Sequence, residues 1–331
     1  MRIFSGIQPT GRKHLGNYIG AIRQYVEGQD RGAPAIYCIV DLHAISVRYD
    51  PTALSRYTYD TAAMLLASGL DPGRCILFRQ SDVHEHTELC WLLASVTAHG
   101  DLNRMHQFKE KSATQRELVS AALFNYPVLQ AADVLAYKAH EVPVGDDQRQ
   151  HVELMRDIAD RFNAAYGNVL VLPEHRIPAT GARVMDLQDP TRKMSTTGSG
   201  ERGLVFVDDD EKAILKKVKS AVTDSGSEVR RGPDKAGVSN LIEVLAVIRG
   251  VDPEEIEREF EGRGYGDFKT AVAEAVAEYL RPVRERYAEL RGDEADLERV
   301  LQIGADRARA IASETLAEVR AAMGIGPPAS G

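Results

Sequence analysis

Two stretches of this 331-residue chain combine residue types that can handle phosphate. The first is Pro9-Thr10-Gly11-Arg12-Lys13-His14-Leu15-Gly16-Asn17, and the second is Lys193-Met194-Ser195-Thr196-Thr197. His14 and Asn17 can donate hydrogen bonds to phosphate oxygens. Gly16 removes a side chain where a ligand would otherwise collide. The second stretch is basic and rich in Gly, Ser and Thr, hence a flexible loop that can clamp a triphosphate and later release pyrophosphate. The glycines and the lysine have the wrong offsets for a P-loop or a GxGxxG fingerprint. Taken alone, the first stretch reads equally well as a helix cap with a surface histidine. A third candidate is Asp133, set among Ala131, Ala132, Val134, Leu135 and Ala136. If buried, that acid needs a partner. It faces solvent, pairs with a structural arginine, or accepts a hydrogen bond from a ligand N–H.

The elements around these residues are readable from their periodicity. The apolar run at 2–6 is a buried strand, and Leu15, Tyr18, Ile19, Ile22, Tyr25 and Val26 form one helical stripe. The chain therefore runs strand, tight turn, helix, and the helix start attracts phosphate through its unpaired N–H groups and dipole. Residues 35–41 form a central parallel strand, and His43 follows at its carboxyl end, where open α/β sheets place ligands. Asp50-Pro51 caps a helix that runs to about Gly69, and 75–79 is a third strand. This alternation indicates βαβ units and a parallel sheet. Residues 84–125 read as a helical insertion, with Trp91 in its core and a polar, basic stretch from Arg104 to Ser112. Ser112 with Gln115 resembles a capping box. Tyr126-Pro127 breaks one helix and starts another. Residues 141–145 are a strand, Asp146-Asp147 opens a helix through about Tyr166, and 182–187 is the last sheet strand.

Beyond residue 203 strand signals vanish. Residues 204–207 are a short connector before a helix start. Lys212, Lys216, Lys217 and Lys219 punctuate an amphipathic helix with Ala213, Ile214, Leu215, Val218 and Val222, as a solvated face or as a nucleic-acid-facing strip. Helices follow at 239–249, 253–261, 267–291 and 294–322, with Pro282 kinking or interrupting the third, and 325–331 is a disordered tail. A chain of this length makes two domains, or one large domain with an appendage. Cys38, Cys75 and Cys90 are odd in number and lack metal-ligand spacing; Cys38 and Cys75 lie in apolar runs, so buried free thiols and a reducing cytoplasm are expected. No signal peptide and no membrane-length apolar run is evident. A net charge of −8 argues against indiscriminate nucleic-acid binding, while leaving room for a local basic surface.

Together the two phosphate-handling stretches resemble the His-Ile-Gly-His and Lys-Met-Ser-Lys-Ser signatures of class I aminoacyl-tRNA synthetases. The wording between them is more specific. Gly6-Ile7-Gln8-Pro9-Thr10-Gly11, Gly16-Asn17-Tyr18 and Val142-Pro143-Val144-Gly145-Asp146-Asp147-Gln148 resemble the bacterial tryptophanyl-tRNA synthetase family, and the resemblance runs from Arg2 to about Gly324. It implies an α/β fold, with a Rossmann-like parallel-sheet nucleotide-binding domain at 1–188, a flexible loop at 189–203, a helical tRNA anticodon-binding domain at 204–300, and a helix at 301–324 that returns to the first domain.

The resemblance also implies an activity. Tryptophan attacks the α-phosphorus of ATP, pyrophosphate leaves, and the tryptophanyl group passes to the cognate tRNA. His14, Asn17, Thr10 and Lys193 would hold the triphosphate, with Mg²⁺ bound only through its phosphates. Gln8, Pro9, Gly16, Met194, Ser195, Thr196 and Thr197 complete that region, and Lys109 and Lys111 belong to a segment that closes on ATP. Gly145 lets the backbone approach adenosine, Asp146 and Asp147 accept ribose hydroxyls or cap the helix, and the Val184 backbone meets adenine. Asp133 would accept the indole N–H, and such acceptors discriminate by roughly 10⁴–10⁵. Phe4, His43, Val142 and Val144 line the indole pocket, while Tyr126, Gln8 and Gln148 hold the ammonium and carboxylate. Two positions depart from the pattern. Gln130 stands where methionine is expected, and Thr196 replaces the second lysine, leaving Lys193 alone or helped by Arg192, Arg202 or Lys111. The family implies a homodimer. Rival readings are a tyrosyl-tRNA synthetase, a small nucleotidyltransferase, and a slow or non-catalytic tRNA-binding paralogue.

Overall fold

A computed structural model describes residues 1–108, 119–145, 148–176, 183–196 and 199–326. Five parallel strands, β1 (Ile3–Ile7), β2 (Ala35–Ile39), β3 (Ile76–Arg79), β4 (Glu141–Pro143) and β5 (Glu174–Arg176), form one sheet in the order β3-β2-β1-β4-β5. Side chains alternate between two cores. Ile3, Ala35, Tyr37, Ile39 and Leu77 face one, and Phe4, Ile36, Cys38, Ile76 and Phe78 face the other. Both faces of the sheet are covered, so β2 is buried along its whole length, as parallel sheets require.

The first helix, α1, starts at Leu15–Asn17, passes through a π turn at Tyr18–Ile22 and continues over Arg23–Asp30. Helix α2 (Pro51–Ala67) is capped by Asp50, whose carboxylate accepts from the Thr52 N–H at 2.9 Å. Next come α3 (Glu85–Ala94), α4 (His99–Arg104), α5 (Ala121–Leu135) and α6 (Arg149–Tyr166). The second half holds α7 (Glu211–Lys219), α8 (Ala236–Arg249), α9 (Pro253–Glu259), α10 (Tyr265–Arg291) and α11 (Glu294–Ala322). One core joins Ile3 and Tyr37 of the sheet to Ile214, Leu241, Val272 and Leu280 of these later helices, so both halves of the chain share it.

Several expectations are corrected. The last sheet strand is not 182–187 but β5, an exposed, charged edge; Val184 and Leu187 are buried elsewhere, against the second motif. Trp91 is 77% exposed, because α3 buries Leu89, Cys90, Leu92 and Leu93 and turns the indole outward. Pro127 does not break the chain into two helices: α5 runs through it, with Leu123, Val128, Ala131 and Leu135 fully buried around it, and this packing offsets the lost hydrogen bond. Pro282 likewise lies inside an unbroken α10, on its exposed face, where water can satisfy the Glu278 carbonyl. Val222 is exposed, since α7 ends at Lys219. All three cysteines are buried and unpaired.

Helix α11 closes the structure against edge strand β3. The boundary expected at 300/301 falls inside this helix. Leu301 joins one core and Ala305, Ala308, Ala312, Leu316 and Val319 the other. The Arg307 guanidinium donates to the carbonyls of Pro72 (2.7 Å) and Cys75 (3.0 Å), and Arg79 pairs with Glu298 at 3.0 Å. Gly304 touches the β3 backbone, and a Cβ there would overlap the Leu77 carbonyl. Gly304→Ala therefore lowers stability by about 1–3 kcal/mol or more, read as a fall in urea midpoint. Gly266→Ala, which meets nothing within 4 Å, serves as the control and leaves the midpoint unchanged or slightly higher.

Candidate active site

Strand β1 ends in a turn that needs Gly11 at φ +62°, a conformation costly to other residues. The turn delivers His14 to the cap of α1. There the His14 N–H donates to Asn17 Oδ1 at 3.1 Å, and the Asn17 N–H donates to His14 Nδ1 at 3.2 Å. This reciprocal cap fixes the ring: Nδ1 accepts, so the proton sits on Nε2, the one donor left for a ligand. Burial, then the charges of Lys13 and Lys193, push the His14 pKa down to about 4, so the imidazole is neutral at physiological pH. Asn17 commits its Oδ1 and keeps its amide N–H groups for a ligand. A Cβ on Gly16 would lie 3.1 Å from the His14 ring and 3.6 Å from Val184, so the glycine also allows this cap to close.

The second motif lies against the first. The Met194 N–H donates to the Val184 carbonyl at 3.0 Å, the Asp186 N–H donates to the Arg192 carbonyl at 2.9 Å, and Lys193 bridges to Met185. Met194 is buried in the core beside Val184, while Lys193 and Thr196 are exposed and Ser195 is half-buried. Residues 204–207, expected to be a mere connector, brace the first motif. The Leu15 N–H donates to Val205 O at 2.8 Å, and the Val207 N–H to Lys13 O at 2.9 Å. Arg12 pairs with Asp208 (2.7 Å) and Asp209 (2.9 Å) and lies 4.1 Å over the Phe206 ring. Lys217 is a correction: it is half-buried and pairs with Asp209 at 2.6 Å, whereas Lys212, Lys216 and Lys219 are exposed.

A cavity of about 370 Å³ opens beside the first motif at the carboxyl ends of β1, β2 and β4. Phe4, Val142 and Val144 give its apolar walls. Gln8, Tyr126, Gln130, Gln148 and Gly145 also line it, together with the buried, hydrogen-bonded pair Asp133 and His43. Pro9, Thr10 and the residues of the second motif lie outside this cavity. Asp146, Asp147, Lys109, Lys111, Ser112, Gln115 and Thr197 lie outside the described residues.

Asp133 is 1% exposed, and among the described residues its side-chain partners are His43, Gln80 and His86, not an arginine. Its Oδ2 accepts from His43 Nε2, and its Oδ1 from Gln80 Nε2 and His86 Nδ1, all at 2.7 Å. Burial favours the neutral acid, but His43 and then His86 outweigh it and hold the carboxyl below the usual range. Gln130, the departure from the family pattern, donates to Gln148 Oε1 at 3.4 Å. The Tyr126 hydroxyl meets His151 Nε2 at 2.8 Å and Gln107 Oε1 at 3.3 Å. Gly20, Ala21, Gln24 and Tyr25 of α1 also line the cavity and escaped the sequence reading; Gly20 and Gln24, one helical turn apart, were the available signal.

A parallel sheet whose first strand delivers a His-x-Gly-Asn turn, with a Lys-Met-Ser segment docked on it, has the arrangement expected of a class I aminoacyl-tRNA synthetase. Residues 1–281 match the family described as tRNA synthetases class I (W and Y), and the chain belongs to that family. It is 49% identical over 325 residues to the tryptophan–tRNA ligase of Wolinella succinogenes, covering 98% of each chain. Among solved structures it is similar to the tryptophanyl-tRNA synthetase of Mycoplasma pneumoniae (TM-score 0.90, 34% identity, 98% of each chain). It is also similar to that of Campylobacter jejuni, complexed with ADP and tryptophan (TM-score 0.85, 35% identity, 98% of this chain and 100% of that one).

Lys13 is an unexpected member of the turn. It is 7% exposed, and its Nζ donates to the Gln8 carbonyl at 2.8 Å. Burial, opposed by Asp60, pushes its pKa from 10.5 down to about 8. Between those values the unfolded chain binds the extra proton, so stability rises with pH across that window and the charged lysine is a burden below it. Lys13→Met raises the unfolding free energy at pH 7 by on the order of 1–3 kcal/mol in urea titrations, and the gain narrows by pH 10. A variant no more stable at pH 7 would contradict this account.

Proposed function

We infer that the chain activates L-tryptophan with ATP and transfers it to its cognate tRNA, as a class I tryptophan–tRNA ligase. The observation that carries this is the cavity with apolar walls and one buried carboxylate, Asp133, among its described lining residues, opening beside a phosphate-type helix cap. The tryptophan carboxylate attacks the α-phosphorus in line and pyrophosphate leaves. No side chain acts as nucleophile, so positioning and charge stabilisation carry the step. His14 Nε2, the Asn17 amide, Thr10 and Lys193 hold the triphosphate, framed by Gln8, Pro9, Gly16, Met194, Ser195 and Thr196. The Gly145 backbone and Val184 border adenosine. The described side chains of the two motifs that face the phosphates are donors and cations rather than carboxylates, which suits Mg²⁺ carried by the phosphate oxygens themselves.

Within the cavity, Phe4, Val142, Val144 and His43 enclose the indole, Asp133 accepts its N–H, and Tyr126, Gln8, Gln130 and Gln148 surround the ammonium and carboxylate. The unit at 204–300 orients the tRNA, 189–203 is the catalytic loop, and 301–324 anchors the helical half to the sheet. The protein works as a homodimer in the cytoplasm; the outward-facing Trp91, 77% exposed on α3, fits a subunit interface. Among the described residues no helix is long and apolar enough to cross a membrane. Thr196, in place of the second signature lysine, keeps a slow tRNA-binding paralogue as the second reading.

The test is pyrophosphate exchange into ATP with each amino acid added singly. Exchange with tryptophan alone is expected; exchange with tyrosine would move the chain to the tyrosyl branch, and none at all in a folded, tRNA-binding protein would favour the paralogue. In the active enzyme, Lys193→Ala lowers the exchange rate by about 10²–10³-fold, the range for removing one preorganised transition-state donor. A loss under threefold would show that Arg192 or Arg202 carries the charge instead.

A further inference from the structure

The two oxygens of Asp133 are not equally available. Oδ1 accepts from both Gln80 and His86, so its two lone pairs are committed. Among the described residues Oδ2 accepts from His43 alone, which leaves it one lone pair. His43 and Asp133 border the cavity, whereas Gln80 and His86 lie behind it, each fully buried. A carboxylate only accepts, so His86 Nδ1 must donate to it, whatever charge the ring carries. The other ring nitrogen of His86 meets the Tyr137 hydroxyl at 2.6 Å. The Tyr137 ring, also fully buried, stacks on Phe4 at 5.4 Å with an interplanar angle of 12°, and Phe4 is a wall of the cavity. A chain of contacts thus runs from the aromatic wall through Tyr137 and His86 to the acceptor.

We propose that His86, held in place by Tyr137, is a positioning residue for substrate selection: with Gln80 it saturates Oδ1 of Asp133 and leaves a single lone pair on Oδ2 for an aromatic ring N–H lying against Phe4. This rests on reading the cavity as the tryptophan site. The arrangement selects for the N–H rather than for ring size. A ring of the same shape without the N–H leaves that lone pair unmet in a dry site, which is the situation that gives large discrimination. Without His86 an Oδ1 lone pair is freed and the carboxylate can turn, so the geometry of the one open acceptor is no longer fixed.

The test compares tryptophan with its benzothienyl analogue, in which sulfur replaces the ring N–H, by kcat/KM in pyrophosphate exchange. His86→Leu is expected to lower the tryptophan-to-analogue ratio by about tenfold or more, as expected when a buried acceptor loses its fixed geometry, while KM for ATP stays near that of the wild type. His86→Asn, which keeps a donor near the Nδ1 position, restores most of the ratio. A general packing defect would weaken both substrates alike, so an unchanged ratio in folded His86→Leu overturns the proposal. If His86→Leu does not fold, Tyr137→Phe decides: the ratio falls by about threefold or more if the chain of contacts acts as proposed, and an unchanged ratio overturns it. A wild-type enzyme that exchanges with no amino acid, or with tyrosine alone, would instead refute the reading of the cavity. A wild type that prefers tryptophan strongly over the analogue, with His86→Leu equally selective, refutes only the role of His86.

Discussion

A carboxylate that is 1% exposed must find its hydrogen bonds inside the protein, and Asp133 finds them on three separate segments. His43 follows β2, Gln80 follows β3, and His86 lies on α3. Gln80 also accepts from the Leu42 N–H at 3.1 Å, which locks the ends of β2 and β3 to each other. The acid on α5 therefore pins a helix across the carboxyl edge of the sheet, beside the cavity that it lines. Breaking such a buried pair by removing one partner typically costs about 3–5 kcal/mol, so the same contacts that shape the site also hold α5 in place.

The phosphate turn depends on a second set of contacts that reaches into the helical half. Arg12, inside the motif, is paired with Asp208 and Asp209. Asp209 in turn holds Lys217 of α7, and its carbonyl accepts from Arg284 of α10 at 3.2 Å. Movement of α7 or α10 would thus act on the turn that carries His14, through the ion pairs of Lys217 and Arg12 with Asp209 and the Arg284 hydrogen bond to the Asp209 carbonyl. The shared core, from Ile3 in β1 to Leu280 in α10, makes the halves one packed body rather than two units joined by a linker.

Much of this was legible from periodicity and wording. β1 to β3 are apolar runs, and all four of α8 to α11 are present; α11 has the expected bounds, while α8 and α10 start three and two residues earlier than their stripes suggested and α9 ends two residues sooner. The failures share a cause: they depend on what packs where. β5 is polar because it is an exposed edge, and Val184 and Leu187 mimicked a strand because they are buried against 192–194 and 203. Trp91 sat in an apolar helix but on its outer face. For Asp133 the need for a partner was evident, but its partners at 43, 80 and 86 have no spacing that links them to 133. His86 left one faint trace, a polar residue within the apolar face of α3.

The turn that carries His14 sets its charges against one another. Lys13 and Lys193 help to lower the pKa of His14, and burial lowers that of Lys13. Each of these shifts disfavours positive charge at the turn. The reciprocal His14–Asn17 cap meanwhile fixes His14 Nε2 and the Asn17 amide as neutral donors at the start of α1. Neutral, fixed donors at a helix start with lysines close by make electrostatics suited to an anion rather than to a cation.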